Sequence, residues 1–76
     1  MYNLKLAAMA QDMVIEYCQN SRMCMDSASI LKRIEDWYNH TEITNPSTLA
    51  ACAIYGDYDP SLKYNDIRAI KQLIFK

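Results

Sequence analysis

Cys18, Cys24, Cys52 and His40 are the only thiolate and imidazole groups in this chain, and a structural zinc site needs about four such ligands at turn or helix spacing. No two of the cysteines stand in a Cys-x-x-Cys spacing, and an odd number cannot all pair as disulfides. Cys18 and Cys52 fall among apolar residues at helical spacing, where a free cysteine behaves as a small hydrophobe. A cysteine or serine nucleophile would need a base, and the sole imidazole, His40, sits in Asn39-His40-Thr41-Glu42. At the end of a helix such a residue is a solvated group favoured by the helix dipole. Asp57, Asp59, Ser61, Lys63 and Asn65 alternate as in the first half of a calcium-binding loop. The loop chemistry fails, because Leu62 stands where the sharp turn needs glycine and Arg68 where a bidentate glutamate closes the site. The pair Glu35/Asp36 reads as solvated partners for Lys32 and Arg33. No metal, no cofactor and no enzymatic activity are expected.

The elements that must position any remaining site are set by a short chain. With 76 residues one modest core is expected, hence a single helical domain over 1–76. Apolar residues make up 51% and charged ones 22%, a balance that favours folding over disorder. A net charge of -1 offers no long-range attraction for a polyanion, so nucleic acid is an unlikely partner. A single glycine disfavours hairpins and phosphate-cradling loops, which depend on positive φ. Leu4 to Ala10 begins like a signal-peptide core, but Lys5 interrupts it and Gln11-Asp12 ends it early. No apolar run reaches the roughly 20 residues that span a bilayer. A soluble, cytoplasmic protein with free thiols is the expectation.

Helical periodicity predicts four helices and an all-α compact bundle. In the first, capped by Asn3, one face holds Tyr2, Leu6, Met9, Ala10, Met13 and Tyr17. A second apolar face holds Ala7, Val14 and Cys18, with Leu4, Ala8 and Ile15 beside them. A helix apolar nearly all round is either central to the core or covered by a partner on its second side. In the second helix, capped by Asp26 or Ser27, Ile30, Leu31, Ile34, Trp37 and Tyr38 form the core face. The connector before it carries Met23, Cys24 and Met25, a lid over the core or a secondary contact. The third is bracketed by Asn45 as cap, Pro46 at its first position and Gly56 past its end. Its small residues, Leu49 to Ile54, predict a buried, tightly packed element. The last helix is expected to start at an Asn65 cap and to bury Ile67, Ile70, Leu73 and Ile74. Phe75 then falls near its polar side as an exposed apolar contact.

Six tyrosines, five methionines and a tryptophan are many large side chains for so short a chain, and these types are enriched at protein interfaces. Tyr55, Tyr58 and Tyr64 cluster around the longest connector with Asp57 and Asp59. They form an acidic, tyrosine-bearing contact loop, or they pack the loop down; the sequence leaves both open. With Phe75 these residues are the candidate protein-contact set. The expected role is stoichiometric binding of another protein, as an inhibitor or adaptor. By analogy of size and style alone, accessory proteins of bacteriophages and mobile elements that block host machinery are the setting for such a chain. Two alternatives stand beside it. One is a small helical DNA-binding regulator, which the long acidic connector and the sparse cations Arg68 and Lys71 fit poorly. The other is a homodimer formed through the second apolar face of the first helix.

Overall fold

The computed structural model describes residues 3–22, 25–41 and 43–75. Four helices, α1 (Leu4–Ser21), α2 (Ser27–Thr41), α3 (Pro46–Tyr55) and α4 (Tyr64–Ile74), make an all-α bundle with no strand among the described residues. Short polar side chains start three of them. The Asn3 side-chain oxygen accepts the Leu6 N–H at 3.1 Å, Asp26 accepts that of Ser29 at 3.1 Å, and Asn45 accepts those of Ser47 and Thr48 at 3.0 and 3.2 Å. Pro46 follows Asn45 at a position where its missing N–H costs nothing.

Helix α3 is the hub. Leu49, Ala50, Ala51, Cys52 and Ala53 are fully buried and Ile54 nearly so, a run that covers more than one complete turn. A helix buried on every side must be surrounded, and α1, α2 and α4 all pack on it. α1 also meets α2, whereas α4 rests on α3 alone among the helices. Small side chains on α3 let the neighbouring backbones come close, and the buried stripe of α1 answers in kind with Leu6, Ala7, Ala10, Val14 and Cys18.

That stripe sets the orientation of α1, whose large residues Met9, Met13 and Tyr17 were the ones expected in the core. The Ala7, Val14 and Cys18 side faces the core, together with Leu6 and Ala10, while Met9 stands 48% exposed and Met13 and Tyr17 are half-buried. Both faces are apolar, so periodicity could not choose between them; the packing of α1 against α3 and α2 does. α3, not α1, is the helix surrounded by the others. The expected position of Tyr2 in this pattern, like those of Met23 and Cys24, lies outside the described residues; Met25 is half-buried against the core.

Three further positions differ from expectation. Leu31 is 42% and Leu73 69% exposed, because each lies on a flank of its helix where no other element arrives. α4 begins at Tyr64, not after an Asn65 cap. The Asp66 carboxylate, one turn in, reaches back to accept the Lys63 N–H at 2.9 Å, so an acid in the first turn sets the start.

The tight packing of α3 sets its tolerance. Ala50→Leu has no space to enter and should cost about 1–3 kcal/mol, read as a lowered urea midpoint with unchanged helical circular dichroism at low denaturant.

Candidate functional site

The connector from Gly56 to Lys63 is built onto α2 through one buried ring. Trp37 is fully buried, and its indole N–H donates to the Gly56 carbonyl at 2.6 Å. Gly56 ends α3 with φ +146°, a conformation that side chains rarely adopt, and its N–H bonds back to the Cys52 carbonyl. The Arg33 guanidinium makes a long 3.5 Å bond to the Ala53 carbonyl, which puts a cation at the negative end of the α3 dipole. At the carboxyl terminus of α3 the Cys52 carbonyl is thus satisfied by the Gly56 N–H and the Ala53 carbonyl by a side chain of α2.

The rest of the connector follows from these anchors. Tyr58 meets Trp37 edge-on, with ring centroids 5.3 Å apart, and its face stacks on His40 at 4.5 Å. Asp57 lies 3.8 Å from the Arg33 Nε, but its side chain is 86% exposed and the pair contributes little stability. Asp59 turns its carboxylate onto its own segment, accepting the Ser61 N–H at 2.9 Å and the Ser61 hydroxyl at 2.8 Å. Those bonds, the amide first, hold the Asp59 carboxyl below its ordinary value. The Leu62 N–H closes the turn onto the Asp59 carbonyl at 3.0 Å.

The six candidate contact residues therefore do not form one patch. Tyr58 packs the loop down and is half-buried; Asp57 and Asp59 are engaged locally. Tyr55, 54% exposed, is the last residue of α3, and Tyr64, 73% exposed, stands near the first residues of that helix. Phe75 is not the exposed ring expected. The backbone leaves the helix after Ile74, with Phe75 at φ -114° and ψ 90°, so a helical wheel no longer describes where the side chain goes. It turns onto Tyr17 in an edge-to-face contact at 5.9 Å and is half-buried.

Tyr64 and Phe75 are nevertheless brought together on another feature. They line a groove of about 430 Å³ between the start of α3 and one flank of α4, with Asn45, Thr48, Arg68, Lys71 and Gln72. A second hollow of about 230 Å³ shares Asn45, Thr48, Tyr64 and Arg68 and runs on toward Ile43. Sequence reasoning set Arg68 and Lys71 aside as too few for nucleic acid. The available signal was the spacing of Tyr64, Arg68 and Lys71, one helical row at i, i+4 and i+7.

Cys18 and Cys52 are free and buried, and burial pushes the Cys52 thiol up to about 12. Among the described residues no three His, Cys, Asp or Glu side chains are grouped to hold a metal ion, and no helix is long and apolar enough to cross a membrane. The fold defines a small all-α bundle wrapped around a short alanine-rich helix. No family model matches the chain, and no curated protein and no solved structure is significantly similar to it.

Trp37→Phe keeps an aromatic ring but leaves the Gly56 carbonyl without its donor. The loss should be about 1–3 kcal/mol in urea denaturation, with amide exchange accelerated more in residues 57–62 than in α1. In the native protein Cys52 should resist a thiol-alkylating reagent at pH 8 and react only as fast as the chain opens; peptide mapping of the alkylated cysteine after timed exposure checks this.

Proposed function

We propose that this chain is a non-enzymatic protein-binding module that acts stoichiometrically, as an inhibitor or adaptor, through the flank of α4 that carries Tyr64. The observation that carries the reading is Tyr64 itself, a large ring left 73% exposed at the rim of a groove. Tyrosine and arginine are the residue types that dominate binding energy at protein interfaces, and Arg68 lies one turn from Tyr64 on the same flank. The connector leading into α4 is anchored by Trp37, Tyr58 and the Asp59 turn, so little entropy is lost in holding this surface ready.

The setting proposed for such a blocker is that of phage and mobile-element accessory proteins acting on host machinery, an analogy of size and style. A homodimer through α1 is less well supported. The second apolar face on which it would rest, Ala7, Val14 and Cys18, is buried within the core of one chain.

Affinity co-purification of the tagged protein from a host extract, with and without nuclease, tests the reading. One protein recovered in stoichiometric amount and resistant to nuclease is expected. Its affinity should fall about thirtyfold with Tyr64→Ala, the effect of an interface residue worth about 2 kcal/mol. Leu73→Ala, on the opposite flank of α4, should leave it unchanged. Recovery that depends on nucleic acid, or equal binding by the Tyr64 variant, overturns the proposal.

A further inference from the structure

We infer that the groove between α4 and the start of α3 receives an acidic segment of the partner protein, one that presents two carboxylates beside an apolar side chain. The inference rests on the protein-binding reading and names the chemistry of what binds. Arg68 and Lys71 stand three residues apart on one flank of α4, which places their Cβ atoms about 5–6 Å from each other. Neither makes an ion pair among the described residues, where the one such pair is Arg33 with Asp57. Among the described residues no acid lines the groove. Asp66, the acid of α4, is held by the Lys63 N–H at 2.9 Å.

A chain with a net charge of -1 has thus gathered onto one concave surface two cations that make no ion pair among the described residues. The start of α3 is not what attracts the anion, because the Asn45 side chain already accepts the Ser47 and Thr48 N–H groups. The two cations are.

Side chains on one face of an extended strand repeat every two residues, about 6.6–6.8 Å, a step that the long Arg68 and Lys71 side chains, rooted about 5–6 Å apart, can span. A glutamate-x-glutamate stretch therefore meets Arg68 and Lys71 in register, and a neighbouring apolar side chain lies against Tyr64 and Phe75. Two cations release few counterions, so a nucleic-acid strand gains little here, whereas paired carboxylates gain orientation from the arginine fork.

The test is a titration of the isotopically labelled full chain, followed by nuclear magnetic resonance, with a short synthetic peptide of alternating glutamate and alanine ending in phenylalanine. Saturable shifts are expected at Thr48 and along Tyr64 to Phe75. The same peptide with glutamine for glutamate should bind at least about tenfold more weakly, and added salt should weaken the glutamate peptide. The double variant R68E/K71E should lose at least about tenfold in affinity, as should R68Q/K71Q, which avoids placing acids at the end of α4; circular dichroism melts confirm that both fold.

Equal binding of the two peptides, shifts centred elsewhere, or tighter binding of an oligothymidylate than of the glutamate peptide would each overturn the inference. The co-purified partner separates the two claims. Its retention at the wild-type level by R68E/K71E, with loss on Tyr64→Ala, overturns the acidic-segment inference and leaves the protein-binding reading intact. Nuclease-sensitive capture overturns both.

Discussion

Close packing around α3 is the constraint on which the rest of this structure depends. Six consecutive buried residues, four of them alanine or cysteine among Leu49 to Ile54, leave no side of that stretch for water. Such a helix has little apolar surface of its own to contribute per residue, so its stability comes from the neighbours that it allows to approach. The consequence reaches each of them. α1 turns Leu6, Ala7, Ala10, Val14 and Cys18 inward, α2 brings Ile30, Ile34 and Trp37, and α4 contributes Ile67 and Ile70. Larger side chains such as Met9 and Leu73 are displaced to the surface, where they mark the limits of the core.

A second constraint links that core to the surface. Burying an indole without a partner for its N–H is costly, and Trp37 resolves this by donating to the Gly56 carbonyl just past the end of α3. One hydrogen bond thereby satisfies a core side chain and anchors the connector. Tyr58 and His40 extend the anchoring outward as a stack of rings, and Asp59 shapes the turn that follows. The connector is long, yet it is built rather than loose, and it delivers the chain to α4 at a defined point.

Charge is distributed by flank. Near the end of α3, Arg33 faces Asp57 and the carbonyl of Ala53, a local balance of cation with anion and dipole. Along α4, Arg68 and Lys71 share a groove with polar and aromatic groups and, among the described residues, with no acid. Net charge says nothing of this separation, since it sums over surfaces that a ligand meets one at a time. The binding role proposed for the second of these surfaces draws on its aromatic rim as much as on its charge.

Local signals along the chain determined a good deal. Asn3 and Asn45 as caps, a cap at Asp26 or Ser27, Pro46 and Gly56 as the brackets of α3, and the burial of Leu49 to Ile54 were legible because each depends on residues within one turn of each other. The all-α class followed from periodicity and the scarcity of glycine. Tertiary structure alone decided which apolar face of α1 turns inward, since two apolar faces on one helix are distinguished only by what packs against them. It also decided that Tyr58 lies on Trp37, that Phe75 folds back onto Tyr17, and that the Tyr64, Arg68 and Lys71 row of α4 shares a groove with Asn45 and Thr48. These relations join residues from different elements or beyond a helix end, where the 3.6-residue repeat carries no information about direction.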